Sequence, residues 1–378
     1  MRILVAPASF KGSLSPGEAA SAIADGLRAG FPACDLTQAP LADGGEGTLQ
    51  TLLNALGGEV KPILVDDLLR RPVEAHVALF PDGVAFVESA QAAGLPLLGD
   101  AERDPMRAST FGVGQMIQAA LDLGAGEIWI GLGGSATVDG GLGMLRALGA
   151  KLIDADGRDV PPGGQGLSQL ASIDSSTLDD RLASTTLTAL CDVDSVLLGS
   201  QGAQLYMPQK GATPEQCAKL TDAFGRFASL VEREFECDVR NIPGAGAAGG
   251  LGAALAFLGA DLISGSRFVM DTLDIDRKLA WCDLVVTGEG WIDEQTLQGK
   301  PIGTLAERSR AHGCPVVALC GGHSGELEDF QAHGIDAVFA IVPGPVSLGQ
   351  ALTDAEQNLV ATARSLGAWM RALSPDGQ

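Results

Sequence analysis

The chain has 378 residues, of which 46% are hydrophobic and 19% are charged, so it can bury cores for about two domains. Its formal net charge of −22 argues against nucleic acid or an anionic membrane as a partner, because surfaces that bind these are basic. The 51 glycines are aperiodic, which predicts many tight connections or several loops whose backbone approaches a ligand.

The seven cysteines show no C-x-x-C spacing, so zinc and redox motifs are unsupported and reduced thiols are expected. The chain begins with a strand-like segment rather than a secretory signal, and no apolar segment is long enough for a membrane span. We therefore expect a cytoplasmic protein.

The N-terminal segment predicts a strand, a loop and a helix. Residues 2–6 are apolar and suit a buried parallel strand. Ser15, Pro16 and Glu18 are the residue types expected at a helix start with a capping box, and the helix should end near residue 29. Lys11 then lies in a strand-to-helix loop, where it is either a phosphate ligand or an ordinary exposed lysine.

A second strand near residues 36–40 leads into the acidic glycine loop 42–48. Asp43 and Glu46 in this loop can hold Mg²⁺ or substrate hydroxyls, or can simply cap the helix that follows and ends at Gly57. The next three strands, 60–65, 73–79 and 84–89, change the pattern. The turn at 80–83 indicates a hairpin, so a different domain with antiparallel strands should begin after about residue 66.

Residues 127–149 organise the middle of the chain, after a helix predicted at 110–123. A short strand enters a loop with six glycines, and a helix follows from about residue 142 to Gly149. Backbone N–H groups in such a loop can bind phosphate or carboxylate, although a tight connection without a ligand is the simpler alternative. Residues 131–136 also fit a dinucleotide fingerprint with Asp154 downstream. The Gly140–Gly141 pair argues against it, because it would fall inside the helix.

The second half repeats the pattern of polar loops after strands. Strand 187–190 ends before Asp192, and Lys210 lies in a loop before a long helix that starts at Thr213. A third glycine loop covers 241–250. The last quarter of the chain predicts strands at 283–287, 316–320 and 337–342, with a loop at 288–293 after the first. It also predicts a helix from Lys300 to 312 and a final helix at 348–372.

This set of loops fits phosphoryl transfer, which needs positioning and charge neutralisation rather than a special nucleophile. The histidines form no metal-ligand pair, and His323 in a glycine loop is the one that merits a test. Backbone N–H groups and lysines would hold phosphates, carboxylates would hold Mg²⁺, and one carboxylate would accept the acceptor hydroxyl's proton.

Seven motifs, in the same order over essentially the whole chain, resemble the type I glycerate kinase family: SFKGSLS, ADGGEGT, GGSATVDGG, CDVDS, PQKGA, PGAGAAGGLG and TGEGWIDEQTLQGK. The resemblance implies ATP-dependent phosphorylation of D-glycerate to 2-phosphoglycerate. It also implies an α/β fold with a flavodoxin-like, three-layer parallel domain built from 1–66 and 281–378. A mixed α/β domain, 67–280, is inserted between these two parts, and the enzyme would work between the two domains.

The motif positions supply the candidate site. The candidate catalytic residues are Asp192 (the base), Lys11 and Asp43. The candidates for substrate or phosphate binding are Gly44, Gly45, Gly133, Gly134, Ser135, Thr137, Asp139 (which would fix its loop) and Lys210. The candidates for nucleotide binding are Gly244, Gly246, Gly288, Gly290, Asp293 and Lys300. The candidate Mg²⁺ ligands are Glu46 and Glu289.

Three departures from the family pattern bear on acceptor preference and affinity. Val138 replaces a usual Asn, residues 194–196 replace a Thr-Asn-Pro-like run, and Trp291 replaces a usual Arg. Two other functions stay open: an NAD-dependent 2-hydroxy-acid dehydrogenase that uses the loop at 131–136, and a non-catalytic nucleotide- or phosphate-binding protein. The oligomeric state, including a homo-oligomer, is also open.

Overall fold

A computed structural model describes residues 1–297 and 299–373. Its strands are β1 (Arg2–Val5), β2 (Asp35–Gln38), β3 (Glu59–Asp66), β4 (Pro72–Phe80), β5 (Val84–Glu88), β6 (Glu127–Gly131), β7 (Lys151–Asp154), β8 (Leu170–Asp174), β9 (Thr186–Leu190), β10 (Asp261–Ile263), β11 (Leu284–Ile292), β12 (Val316–His323) and β13 (Ala337–Ala340).

The α-helices are α1 (Pro16–Gly30), α2 (Thr48–Leu56), α3 (Ala90–Ala93), α4 (Phe111–Asp122), α5 (Leu142–Ala147), α6 (Gly163–Gln169), α7 (Pro214–Phe235), α8 (Ala247–Phe257), α9 (Gly265–Thr272), α10 (Ile275–Trp281), α11 (Glu294–Leu297), α12 (Pro301–Ala311), α13 (Leu327–Ala332), α14 (Leu348–Thr353) and α15 (Ala355–Leu373). None of the helices in the described ranges is both long enough and apolar enough to cross a membrane.

The chain divides into two compact units. The first unit contains Met1–Asp43, Gln50–Ala55 and the chain from Ser266 onward, and the second contains Gly44–Leu49 and Leu56–Gly265. The sequence placed the first boundary at residue 66. Strand β3 lies in the second unit instead, because its whole length pairs antiparallel with β4, from Glu59 opposite Leu79 to Asp66 opposite Pro72.

The first unit is built on a five-stranded sheet in the order β13-β12-β11-β1-β2, and all of its neighbouring strands are parallel. Counted along the chain, this is the order 2-1-3-4-5 of flavodoxin-like folds, which confirms the predicted class. Ile3, Leu4 and Val5 are fully buried, as expected for a parallel strand covered on both faces.

Helix α1 begins as the sequence predicted and packs closely on α15. The Ser15 side chain accepts a hydrogen bond from the Glu18 N–H, and the Glu18 carboxylate accepts one from the Ser15 N–H. A Cβ atom on Gly26 would lie 2.4 Å from the Val360 carbonyl oxygen, so only glycine permits this approach between the two helices.

The second unit is built on a six-stranded sheet in the order β10-β9-β6-β5-β4-β3. Strands β3, β4 and β5 are antiparallel, which confirms the predicted hairpin, whereas β5, β6, β9 and β10 run parallel. A separate antiparallel pair, β7 and β8, packs beside α5, α6 and α7. The carboxyl ends of the four parallel strands therefore share one edge, where α/β proteins place their ligand sites.

Three segments differ from the sequence prediction. Strands β11 and β12 continue through the glycines that predicted loops, with Trp291 opposite Gly322 and Ile292 opposite His323. The single C-terminal helix is two helices, α14 and α15. The first turn of α8 is not regular helix, because Ala248 and the next two glycines have positive φ angles.

Candidate active site

The central loop after β6 is organised around Asp139, which is fully buried. Its Oδ2 accepts hydrogen bonds from the backbone N–H groups of Thr110 (2.8 Å) and Gly143 (3.1 Å), and its Oδ1 accepts one from Gly141 (3.0 Å). The Thr110 hydroxyl lies within 3.1 Å of both oxygens and also accepts the Met144 N–H. The Asp139 carboxylate therefore connects the N–H groups of Thr110, Gly141 and Gly143 at the start of α5.

Lys210 also holds this loop. The side chain is buried, and its Nζ donates to the Ser135 Oγ (2.8 Å) and to the Thr137 carbonyl oxygen (3.0 Å). Burial lowers the pKa of Lys210 to about 7, although the negative charge of Asp139 acts in the opposite direction. Lys210 therefore holds Ser135 and Thr137 in place, because its Nζ bonds to both residues.

The two hydroxyl groups of this loop differ in their bonding. The Ser135 Oγ receives the Lys210 ammonium, whereas the Thr137 Oγ1 is fully buried and has no hydrogen-bond partner among the described residues. Val138, where the family pattern has Asn, is fully buried in the core of the second unit. The departure at Val138 therefore falls on a side chain that faces the core.

Two of the glycine loops pack backbone against backbone. The Gly133 N–H lies 3.3 Å from the Gly44 carbonyl oxygen, and a Cβ atom on Gly133 would lie 2.4 Å from the Gly45 Cα. Gly44 has φ near +87°, and a Cβ there would lie 2.6 Å from the Leu190 carbonyl oxygen. This close approach requires glycine at 44 and 133, two of the positions that predicted anion binding. Gly134, in contrast, is exposed to solvent.

Glu88 belongs to this edge of the sheet, and the sequence reasoning missed it. It ends β5, is nearly fully buried, and accepts hydrogen bonds from the Leu49 N–H (2.9 Å) and the Gln91 amide (3.2 Å). Burial raises the pKa of the Glu88 carboxyl, and the nearby charge of Glu46 adds to this effect. The sequence predicted β5 only as a hairpin strand, so the rule that selected Asp192, a carboxylate where a parallel strand ends, did not select Glu88.

Asp192 lies just after the end of β9 and is half-buried. Its Oδ1 accepts a hydrogen bond from the Ser264 hydroxyl at 3.0 Å, and Ser264 directly follows the end of β10. Two neighbouring strand ends thus orient this carboxylate. Of the predicted residues, Asp192 is the one whose position best suits a proton acceptor.

The third glycine loop is packed into the second unit. A Cβ on Gly244 would lie 2.6 Å from the Cys191 Sγ, and one on Gly246 would lie 2.3 Å from the Val196 carbonyl oxygen. Both glycines are buried, and nucleotide binding at Gly244 and Gly246 stays a prediction. The small residues serve backbone packing here.

The segment 131–136 matches the dinucleotide fingerprint in sequence, but it lacks the structure that a dinucleotide site requires. Helix α5 starts only at Leu142, after the Asp139 loop, so it does not open on the fingerprint glycines. Asp154 ends β7, which pairs antiparallel with β8 rather than lying in the parallel sheet. Its Oδ1 instead accepts the N–H groups of Asp156 and Arg158 within a turn.

In the first unit, the structure brings several predicted residues together around Glu289. This residue is half-buried on β11, and its Oε1 is buried with no hydrogen-bond partner among the residues described. Burial raises the pKa of Glu289 to about 7, against the opposing effects of the Thr296 hydroxyl and the charges of Lys300 and Lys11. The group combines one carboxylate with two lysines, which are residue types that can bind a phosphate and its cation.

Gly288 and Gly290 lie inside β11, not in a loop as the sequence predicted. A Cβ on Gly290 would lie 3.4 Å from the Lys11 backbone nitrogen, an ordinary contact distance, so the Lys11 loop lies against this part of the strand. Asp293 follows the strand and accepts the Thr296 N–H at 3.0 Å. Trp291 on the same strand is 57% exposed.

The remaining acidic candidates lie in the loop at 42–48. Asp43 is half-buried and interacts with other residues of the protein, whereas Glu46 is exposed. Within the described ranges, no group of three or more His, Cys, Asp or Glu side chains could hold a metal ion. His323 ends β12, where its ring packs edge-on against Phe330 with the centroids 5.5 Å apart.

A flavodoxin-like parallel sheet, a second mixed sheet and polar loops at the strand ends define an α/β enzyme. The sequence model of the glycerate kinase family matches residues 3–371. The chain is 45% identical over 372 residues to the glycerate kinase of Bacillus subtilis (strain 168), with 97% of each chain covered. It is 41% identical to the glycerate 2-kinase of Escherichia coli (strain K12), again with 97% of each covered.

A solved structure from Salmonella typhimurium LT2, which bears the name glycerate kinase 2, matches with a TM-score of 0.83 and 44% identity over 98% of both chains. The chain is therefore a phosphotransferase with an α/β fold. It belongs to the glycerate kinase family.

Proposed function

We propose that this protein transfers the terminal phosphoryl group of ATP to D-glycerate and forms 2-phosphoglycerate. The observation that carries the proposal is the 41% identity, over 97% of both chains, to an Escherichia coli protein named for phosphorylation at position 2. The sites fit this chemistry, because phosphoryl transfer depends on positioned donors and carboxylates rather than on a reactive nucleophile.

In the second unit, Asp192 is the proposed base that accepts the proton of the attacking hydroxyl. The hydrogen bond from the Ser264 hydroxyl to its Oδ1 orients the carboxylate where β9 and β10 end. Ser135, Thr137 and the exposed backbone at Gly134 are the proposed contacts to the carboxylate or phosphate, and Lys210 keeps their loop in place. Asp43, which belongs to the first unit, keeps its predicted catalytic role within this proposal.

In the first unit, Lys11, Lys300 and Asp293 are the proposed contacts to ATP. The residues present also fit Mg²⁺, because Glu289 offers a buried carboxylate oxygen with no other described partner. Mg²⁺ is usually held by one or two carboxylates together with substrate phosphates and water, so a three-carboxylate cluster is not required. Glu289 is the proposed ligand in this unit, and the bound cation would neutralise phosphate charge. Glu46, which lies in the second unit, stays a predicted Mg²⁺ ligand.

The decisive test is phosphorus NMR of the product formed from D-glycerate, ATP and Mg²⁺. We expect 2-phosphoglycerate and a stoichiometric amount of ADP. A 3-phosphoglycerate product would refute the assigned position. Formation of NADH from a 2-hydroxy acid without ATP use would establish the dehydrogenase alternative, and ATP binding without ADP release would establish a binding protein.

The role of Asp192 is tested by Asp192→Asn, with Asp194→Asn as the matched control because Asp194 is an exposed carboxylate in the same loop. General-base catalysis contributes about 10²- to 10⁴-fold to a rate, so turnover should fall by this factor in Asp192→Asn while ATP affinity stays the same. The control should keep its turnover. Equal turnover in the two variants would remove Asp192 from the base role.

A further inference from the structure

A cavity of about 200 Å³ lies in the second unit outside the residues assigned above. Its polar lining comes from Arg70 in the β3–β4 turn, Ser109 before α4, and Arg146 on α5. The rest of the lining includes apolar side chains such as Phe111 and Leu152. A cavity of this size holds a small anion rather than a nucleotide.

The two arginines reach the cavity from different elements. The Arg70 guanidinium stacks on the Phe111 ring, with its Cζ 3.5 Å from the ring centroid, and its Nε lies 3.1 Å from an oxygen of Asp66. Arg146 is half-buried, and its Nη2 donates to the Val160 carbonyl oxygen at 2.7 Å. Each guanidinium keeps further N–H groups that can point into the cavity.

The charge around Arg146 is not balanced by an ion pair. Within residues 1–297 and 299–373, no carboxylate oxygen lies within 4 Å of its guanidinium, although Asp159 is near enough to act on it electrostatically. Burial lowers the pKa of Arg146, and the like charge of Arg70 adds to this effect. Arg146 is thus a half-buried charge without an ion pair in the described ranges, whereas Arg70 is exposed and pairs with Asp66. The lining of the cavity contains these two arginines and no acidic side chain, which indicates an anionic ligand.

We propose that this cavity binds a phosphate dianion, either inorganic phosphate or the phosphate end of a small phosphomonoester. The planar guanidinium groups of Arg70 and Arg146 suit the oxygens of a phosphate, which they bind through paired N–H groups. Ser109 supplies a third contact. Its Oγ accepts the Phe111 N–H at 3.3 Å, so its hydrogen is available to a phosphate oxygen.

The proposed ligand would lie directly behind the Asp139 loop. Ser109 precedes Thr110, which donates both its N–H and its hydroxyl to Asp139. Gly143, which also lines the cavity, donates its N–H to the same carboxylate, and a Cβ on it would lie 2.3 Å from the Ser109 Oγ. Filling the cavity should therefore stiffen the loop that carries Ser135, so the site can act as an effector site.

The test is isothermal titration calorimetry of the full chain with inorganic phosphate, and separately with glycerol 2-phosphate, at constant ionic strength. Three variants are compared: Arg70→Leu, Arg146→Leu, and the control Arg226→Leu. Arg226 is matched because its Nη2 also donates to a main-chain carbonyl, that of Ser168 at 3.1 Å. We expect each cavity variant to bind phosphate at least about tenfold more weakly, as for a lost charge-assisted hydrogen bond.

The control should bind as the wild type does. Tighter binding of the phosphomonoester than of phosphate would identify the former as the ligand, and the reverse result would identify free phosphate. Wild-type affinity in both cavity variants, or no binding of either probe to the wild type, would overturn the proposal. Arg70→Leu keeps the test decisive if Arg146→Leu fails to fold, because Arg70 is largely exposed.

Coupling to the loop is measured by amide hydrogen exchange of residues 139–146. Phosphate should slow exchange at Gly141 and Gly143 in the wild type and in Arg226→Leu, and should leave it unchanged in Arg70→Leu. Unchanged exchange in the wild type at saturating phosphate would overturn the effector role. None of these measurements depends on the proposed kinase activity.

Discussion

Replacing Asp139 with Asn should destabilise the second unit by about 2–3 kcal/mol, because the backbone donors around this side chain are divided between its two oxygens. Gly141 donates to Oδ1, whereas Thr110 and Gly143 donate to Oδ2. An Asn presents one oxygen and one NH₂ group, so in either orientation its NH₂ group faces at least one backbone N–H. The orientation that loses only the Gly141 bond should be preferred.

The magnitude follows from that orientation. A buried N–H left without an acceptor costs about 1–3 kcal/mol, and the approach of two donors adds to this cost. Removing the buried negative charge offsets part of it, because burial raises the pKa of the Asp139 carboxyl and thus disfavours its charged form. Lys210 loses a favourable charge at the same time, which acts in the destabilising direction.

The assay is urea unfolding followed by the fluorescence of Trp129. The other three tryptophans, Trp281, Trp291 and Trp369, lie in the first unit and are replaced by Phe in the background protein. Both units then unfold in the same experiment, but the signal reports the second unit.

The matched control is Asp154→Asn. Asp154 also accepts two backbone N–H bonds, from Asp156 and Arg158 at 2.9 Å each, but both bonds go to its Oδ1. A single Asn carbonyl oxygen can keep both bonds, so the control should lose less than about 1 kcal/mol. If Asp139→Asn is no more destabilising than the control, the division of donors between two oxygens is not what holds the loop.

Three further predictions concern single sites. Because the folded-state pKa of Lys210 is about 7 and its ordinary value is 10.5, the penalty for burying its charge is complete below pH 7 and disappears toward pH 10.5. The unfolding free energy of the wild type relative to Lys210→Met should therefore rise by roughly 1 kcal/mol per pH unit between pH 7.5 and 9.5. A difference that does not change with pH in urea unfolding would contradict this. Gly133→Ala should lower the unfolding free energy by about 1–3 kcal/mol, because its Cβ would collide with the Gly45 backbone. The control Gly126→Ala, whose Cβ would have no atom within 4 Å, should lower it by less than about 1 kcal/mol in the same assay. Glu289→Gln should weaken Mg²⁺-dependent ATP binding about 10- to 100-fold in calorimetry while binding of metal-free ATP changes little, and an equal loss in both conditions would remove Glu289 from the metal site.

Local signals in the sequence predicted the elements whose ends are determined by neighbouring residues. The capping box of Ser15 and Glu18 forms as predicted, since it depends on bonds within one turn. Helix α7 likewise begins after Thr213 as predicted, where Thr213 and Gln216 form a second capping box. The β4–β5 hairpin is also confirmed. The sequence could predict it because the residues of its turn determine the hairpin geometry. The flavodoxin-like class, in contrast, was implied by the resemblance to the type I glycerate kinase family.

Other features depend on partners that are distant in the chain, and the sequence alone could not predict them. The glycines at 288–290 are strong loop signals, yet β12 pairs with that segment and extends β11 through it. The close approach of Gly133 to Gly45 is visible only once both loops are placed on the same edge. Glu88 follows an ordinary strand pattern, and its role in holding the Leu49 backbone appears only in the folded unit.

Lys11 and Lys210 show why residue type and loop position did not assign roles. Both lysines lie in polar loops of the sequence, and both were predicted to contact an anion. Lys210 is buried, and two acceptors of the central loop use its ammonium group, so its charge is spent inside the protein. Lys11 is exposed and acts on Glu289 only through its charge, so it can still bind a phosphate oxygen. Burial, rather than sequence pattern, therefore separates Lys210, which bonds inside its own unit, from Lys11, whose side chain is exposed to solvent.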